Sequence, residues 1–111
     1  MIEKTILDYL NDTLTAPAYM EKPEDPPARY VLREKTGSGE SDHLHSAVIA
    51  LQSYAGSLIG AAQLNEEVKA AMAGILVLDR ITRAKLNSDY NFTDDTKKQY
   101  RYQAVYNITH Y

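Results

Sequence analysis

The residues best suited to chemistry are two histidines near the middle of the chain. His43 and His45 are spaced i, i+2, so on a strand both imidazoles point to one face, with Asp42 adjacent. Two imidazoles and a carboxylate can bind a divalent metal, but the sequence offers no further ligand at a regular spacing. We therefore interpret this pair as the polar end of a strand, and expect neither a metal nor a cofactor.

Other patterns that suggest chemistry are weak. Gly37-Ser-Gly39 precedes a predicted strand, so it lacks the helix N-terminus that phosphate-binding loops use. Asp94 and Asp95 fall in a polar turn, where carboxylates are solvated or form an Asx-turn. No Gly-x-Ser-x-Gly motif is present, and the chain has no cysteine to serve as a nucleophile. We predict that the protein is not an enzyme.

Basic residues are the strongest remaining indication of a binding surface. Arg29, Arg33 and Lys35 lie on one face of a predicted strand. Two later segments hold the others of interest: Arg80, Arg83, Lys85, Lys97, Lys98 and Arg101. The formal net charge of −3 argues against a protein that coats nucleic acid. Two interpretations stay open: a solvated sheet surface of mixed charge, or a local positive surface that faces a polyanion or an acidic partner.

Length and composition predict one soluble domain, residues 1–111. The chain has 111 residues, of which 44% are hydrophobic and 24% charged, so it can bury a core without metals or disulfides. The N-terminus lacks the basic and apolar regions of a signal peptide. The uncharged run between Leu44 and Glu66 is too polar to span a bilayer. We expect a non-secreted protein with no membrane association.

Seven elements follow from hydrophobic periodicity. Apolar residues at spacings of three and four predict helices over residues 2–14 and 57–73. The predicted strands are 18–21, 29–35, 43–54, a segment within 77–90, and 99–110. Residues 36–42 are expected to form a flexible loop between two strands of a hairpin. The order α-β-β-β-α-β-β predicts an α+β fold, a mainly antiparallel sheet with two helices on one face.

The last predicted strand shows the clearest alternation. Five residues share the face expected to pack against the helices: Tyr100, Tyr102, Ala104, Tyr106 and Ile108. Four alternate with them and are expected to point outward, towards a neighbour or a lumen: Arg101, Gln103, Asn107 and Thr109. Tyrosines at such positions bury ring area while keeping a hydroxyl to hydrogen-bond, which suits sheet faces and assembly surfaces. We expect this strand to pair with the segment 77–90.

Taken in order, these segments resemble a known family. An amphipathic helix precedes a proline-rich acidic link that contains Ala18-Tyr-Met-Glu21, and a glycine-tipped hairpin follows. Val48-Ile-Ala-Leu-Gln-Ser-Tyr-Ala-Gly-Ser57 then leads into Leu64-Asn-Glu-Glu-Val-Lys69, and Tyr100-Arg-Tyr-Gln103 opens the last strand. Over nearly its whole length the chain resembles the tail terminators, the tail-completion and head–tail joining proteins of long-tailed bacteriophages and prophages.

The resemblance implies a structural role in the virion. Tail terminators have an antiparallel sheet flanked by helices and assemble as hexameric rings. The ring caps the tail tube, stops its growth and meets the head or neck protein, and DNA later passes through its opening. The implied location is the virion tail and neck, and the host cytoplasm during assembly. Neither a cofactor nor catalysis is implied.

The candidate contacts come from the residues themselves, because the family offers no motif to transfer. We predict seven contacts with a partner or a lumen: Arg29, Arg33, Lys35, Ser38, Glu40, Arg101 and Gln103. Three alternatives remain: another neck component such as a head-closure or adaptor protein, a small α+β protein-binding regulator, and a small enzyme such as a nuclease. The strand–hairpin–helix order favours the terminator, since adaptors are mainly helical and head-closure proteins mainly β-barrels.

Overall fold

Two helices and five strands follow one another in the predicted order, so the α+β fold is confirmed. The structure is a computed structural model, and it describes residues 1–41 and 44–111. The elements are α1 (Ile2–Thr13), β1 (Ala18–Tyr19), β2 (Tyr30–Ser41), β3 (Leu44–Ala55), α2 (Leu58–Ala73), β4 (Ile81–Asn91) and β5 (Tyr100–His110). A short 3₁₀ helix, Ile75–Val77, lies between α2 and β4.

All five strands belong to one sheet, in the order β1-β2-β3-β5-β4. β1 runs parallel to β2, and the other neighbouring strands are antiparallel. β5 therefore lies between β3 and β4, and the predicted pairing of the last strand with segment 77–90 is confirmed. Residues directly opposite each other share a face of the sheet. The strand register thus defines a helix-facing side and an open side.

The core lies between the helix-facing side of the sheet and the two helices. α1 contributes Ile2, Ile6 and Leu10, which recur at helical spacing and are all buried. The sheet and α2 supply most of the remaining buried residues: Val31, Ala47, Ile49, Leu51, Leu64, Val68, Ala71, Met72, Ala104, Tyr106 and Ile108. Both helices pack on the same side of the sheet.

Local residue chemistry explains the ends of the helices. Ser57 is the N-cap of α2, and its Oγ accepts a hydrogen bond of 3.1 Å from the Gly60 amide. Gly74 follows the last turn of α2, as predicted. α1 ends at Thr13, and Leu14 already has an extended backbone ahead of Pro17. Both helices lie within one residue of their predicted bounds at each end.

The hairpin between β2 and β3 is longer than the sequence predicts. Residues 36–41 were expected to be loop, but β2 continues to Ser41, which pairs with Leu44. A register shift between Lys35 and Gly37 marks a β-bulge, which lets the glycine-containing segment stay paired. The loop prediction was wrong because cross-strand pairing with β3 overrides the weak strand propensity of Gly37-Ser-Gly39. The remainder of that loop, Asp42 and His43, lies outside the described residues.

β5 confirms the predicted face for its C-terminal half. Ala104, Tyr106 and Ile108 are buried on the helix-facing side, whereas Tyr100 and Tyr102 are only half-buried. Asp94 forms the predicted Asx-turn before β5: its Oδ1 accepts hydrogen bonds from the Thr96 and Lys97 amides, at 3.1 and 3.2 Å. Neither α1 nor α2 in the described chain is long and apolar enough to cross a membrane.

Candidate assembly interface

Of the three basic residues of the first hairpin strand, Arg33 is buried, whereas Arg29 and Lys35 are exposed, as a partner contact requires. All three share the side of the sheet that faces the helices. Arg29 Nη2 lies 3.4 Å from Glu67 Oε2 of α2, and Lys35 Nζ lies 3.7 Å from Glu3 Oε1 of α1. Arg33, opposite the core residue Leu51, is only 5% exposed. The period of two predicts that the three side chains share one face of the strand. It does not show which face the helices cover, which the tertiary structure decides.

The Glu67 carboxylate joins three segments at this point. Its oxygens accept hydrogen bonds from the Thr15 amide and hydroxyl at 2.6 and 2.8 Å, besides the contact with Arg29. Burial raises the pKa of Glu67, but the hydrogen bonds from Thr15 and the charge of Arg29 outweigh it, so the pKa lies below its usual value. Arg29 and Lys35 are exposed residues that each form an ion pair with a carboxylate of a helix.

The open side of the sheet carries an aromatic and polar cluster around Arg101. The Arg101 guanidinium lies 4.4 Å from the Phe92 ring centroid and 5.8 Å from that of Tyr54. Its Nε donates to the Phe92 carbonyl at 2.7 Å, and its Nη1 donates to the Tyr54 hydroxyl at 3.1 Å. Tyr54 stacks on Tyr30 with ring centroids 4.6 Å apart. Arg101 points outward, as predicted, but these contacts hold it in one position.

Gln103 lies on the predicted side, yet it is buried rather than available to a partner. Gln52 Nε2 donates to Gln103 Oε1 at 2.8 Å, and Gln103 Nε2 donates to the Tyr90 hydroxyl. The Tyr54 hydroxyl donates to Gln52 Oε1 at 3.0 Å, which extends the network across three strands. Gln103 is 9% exposed, so its amide serves the sheet itself. The sequence shows the alternation but not the cross-strand partner that covers this side chain.

Replacing Gln103 by Ala is expected to lower the free energy of unfolding by about 1–3 kcal/mol, because Gln52 Nε2 is left buried without its acceptor. Urea unfolding measures the change. Asn107→Ala, at an exposed position on the same side of the same strand, is the control and should change stability by less than about 0.5 kcal/mol. Equal effects for the two variants would contradict the role assigned to the Gln52–Gln103 network.

Ser38 and Glu40 lie on the far end of β2 and are exposed, as the partner-contact prediction requires. Glu40 Oε2 lies 3.6 Å from Nδ1 of His45, whose ring stacks on His110 with centroids 5.4 Å apart. These side chains and the start of α1 line an open cleft of about 510 Å³. Among the described residues, no group of three His, Asp or Glu side chains is placed to hold a metal ion. His43, the other histidine of the pair considered above, lies outside the described residues.

A charged cluster ties α2 to β4 on the helix-facing side. Asp89 accepts hydrogen bonds from Asn65 Nδ2 at 2.6 Å and from Lys69 Nζ at 2.5 Å. Burial raises the pKa of Asp89, but the hydrogen bonds from Lys69 and Asn65 outweigh it, so the pKa is below its usual value. The hydrogen bonds that Lys69 donates to Asp89 and Glu66 raise the pKa of Lys69. This cluster fixes the middle of α2 over β4, and no pattern in the sequence predicted it.

The depressed pKa of Asp89 predicts a contribution to stability that depends on pH. A carboxylate with a lowered pKa in the folded state stabilises the fold above its unfolded pKa of about 3.9, and this stabilisation is lost as the pH falls through the folded value. Asp89→Asn should therefore cost about 1 kcal/mol at pH 7 and less below about pH 4, after allowance for partial exposure. Urea unfolding at both pH values, with Asp95→Asn as an exposed control, tests this. An Asp89→Asn cost that does not change with pH would contradict the assignment.

Exposed strand edges and the terminal strand were expected as candidates for pairing between subunits, but the sequence did not show which strands form the edges. The terminal strand β5 is not one of them, because it lies between β3 and β4. β1 pairs only with Val31 and Leu32, so residues 33–41 of β2 lack a partner strand on that edge among the described residues. β4 is the opposite edge strand and pairs only with β5. Arg83 and Lys85 lie on the open side of β4, opposite Thr109 and Asn107. In the sequence, the spacing of two between Arg83 and Lys85 indicated that they share a face of a strand. The residues around them are also compatible with a helix, so the pattern did not identify this edge.

No family model matches this chain, and no curated protein matches its sequence.

Proposed function

We propose that the chain is a tail terminator subunit of a long-tailed bacteriophage or prophage. In this proposal it assembles as a hexameric ring at the end of the tail tube, stops tube growth and joins the tail to the head or neck. It acts in the host cytoplasm during assembly and remains in the virion tail. DNA passes through the ring only transiently, and neither a cofactor nor catalysis is required.

The observation that carries the proposal is the pair of open strand edges on opposite sides of one sheet. A closed ring needs two different surfaces on each subunit that meet head to tail. Residues 34–41 of β2 and the outer edge of β4 provide two such surfaces, and both helices pack on one face of the sheet. The fold agrees with the antiparallel sheet flanked by helices that the resemblance implies. A monomeric regulator would need only one exposed edge.

Electron microscopy of the purified chain, alone and with tail tubes that lack a terminator, tests the proposal. We expect rings, either free or at one end of each tube, and capped tubes that no longer elongate when tube subunits are added. A chain that stays monomeric at all concentrations and does not bind tube ends would overturn the proposal. Metal-dependent cleavage of DNA by the same preparation would favour the nuclease alternative instead.

A further inference from the structure

The two open edges run in opposite directions, which determines how they can meet. β2 is antiparallel to β3, β3 to β5, and β5 to β4, so β2 and β4 are antiparallel to each other. Rotation about a ring axis that runs along the strands preserves strand direction. The β4 edge of one subunit would then meet the β2 edge of the next as an antiparallel pair, the arrangement with the better hydrogen-bond geometry.

We propose that β4 of each subunit pairs with residues 34–41 of β2 in the next copy, so that the sheet continues from subunit to subunit. The partner is thus a second copy of this chain, bound by strand addition. The inference rests on the proposed ring, and it names which two surfaces close that ring.

Charge favours this pairing over the pairing of two identical edges. Glu34 is exposed on the open side of β2, because it lies opposite Ala50 of β3. Arg83 and Lys85 are exposed on the same side of β4. A β4–β2 contact sets these cations beside Glu34, whereas a symmetric β4–β4 contact sets them against one another. Opposite charges on adjacent strands attract and like charges repel, so the edges favour a head-to-tail assembly over a two-fold dimer.

The β-bulges in β2 and β4 restrict the pairing between subunits to short regular segments. Register shifts occur in both edge strands, between Ile81 and Arg83 and between Leu86 and Ser88 in β4, and between Lys35 and Gly37 in β2. The central β3–β5 pair has none. Bulges bend a strand and interrupt its ladder, so they oppose pairing along the whole edge and give the sheet the curvature that closure requires. Two regular segments of β4, 83–86 and 88–91, are left to pair, and the first includes Lys85.

Exposed apolar side chains flank the β4 edge on the helix-facing side. Leu86 lies opposite Tyr106, which places it on that side, and it is 40% exposed. Leu76 and Val77, in the 3₁₀ helix that packs against β4, are 55% and 74% exposed. Apolar residues grouped beside an open strand edge indicate an interface rather than a solvated surface. They would be covered when β2 of the next copy docks.

Charge reversal tests the pairing directly. Glu34→Lys and Lys85→Glu should each raise the concentration at which half of the chain is assembled, by about tenfold, since attraction becomes repulsion at every contact in the ring. The double variant should recover most of this loss. Both side chains are exposed, so each monomer should fold normally, which circular dichroism confirms. Assembly that is unaffected by either reversal, or a double variant no better than the singles, would overturn the pairing.

Crosslinking gives a second measurement, because the chain has no native cysteine. Glu34→Cys and Lys85→Cys in one chain should give a ladder of covalent oligomers with a short bismaleimide. The two positions are three strand spacings, about 14 Å, apart within a subunit, so a short linker reports contacts between subunits. Glu34→Cys with Gln63→Cys, an exposed position on α2, is the control and should give no ladder.

The two proposals fail in different ways. Rings on tubes without the Glu34–Lys85 ladder, and without an effect of charge reversal, would overturn the strand pairing alone. Crosslinks from Lys85→Cys to the tube protein, in place of crosslinks between copies, would show that the β4 edge contacts the tube. That result would also overturn the proposed strand pairing. Absence of rings and of tube binding under every condition would overturn both proposals.

Discussion

Tyr106→Ala is expected to lower the free energy of unfolding by about 3–5 kcal/mol, the cost of removing a large buried aromatic side chain. Tyr106 is 5% exposed in the middle of β5, and it belongs to the core that the helices cover. Burial also raises the pKa of its hydroxyl, as expected for a side chain enclosed by the sheet and α2. A domain of this size is stable by about 5–15 kcal/mol, so the loss is a large share of the total.

Urea unfolding of the purified variant measures this loss. The midpoint should fall by about 2 M, with little change in the slope of the transition. Tyr111→Ala provides the matched control, because Tyr111 is 62% exposed and its side chain leaves the core untouched. A Tyr106→Ala chain that keeps its stability but fails to assemble would contradict the assignment, and would place Tyr106 in an interface.

Arg33→Met is expected to raise the free energy of unfolding by about 1–3 kcal/mol. Arg33 Nε and Nη1 are buried and have no hydrogen-bond partner among the described residues. Burial lowers the pKa of Arg33, although the nearby carboxylates of Glu3 and Glu34 act in the opposite direction. Methionine keeps the flexible apolar stem that packs against the core and removes the unpaired donors.

Arg29→Met is the control for this substitution. Arg29 forms only a partly exposed ion pair with Glu67, so the change in stability should stay within about 1 kcal/mol. Thermal and urea unfolding of the two variants, measured at the same pH, give the comparison. Destabilisation by Arg33→Met would show that attraction to Glu3 exceeds the cost of burying the guanidinium.

The predicted partner contacts differ in how exposed they are in the structure. Ser38 and Glu40 were predicted to be available to a partner, and both are exposed. Arg33 was predicted beside them, yet it lies beneath the helices, since a period of two cannot tell which face of a strand the helices cover. Gln103 lies on the open side as predicted, but Gln52 and Tyr90 enclose its amide. Burial by cross-strand neighbours is invisible to a pattern read along one strand.

The assembly contacts proposed from the structure differ in part from those predicted from the sequence. Among the basic residues, the sequence placed its candidate contacts at Arg29, Arg33, Lys35 and Arg101. Arg33 is buried, and Arg29 and Lys35 form ion pairs with the helices. The structure instead exposes Arg83 and Lys85 on an edge strand, and exposes Glu34 on the opposite edge. Strand order alone makes these edges, because β1 is too short to cover β2 and no strand of the described chain covers β4.

Sequence pattern determined the element types, their order and the α+β class, because helical and strand periodicity arise from local backbone geometry. It also determined the helix ends, through Ser57 and the residues before Pro17, and the core positions in the C-terminal half of β5. Only the tertiary structure decided the length of the β2–β3 hairpin, the side on which the helices pack and the edges left open. These features depend on contacts between residues far apart in the chain, where pairing and burial outweigh local propensity.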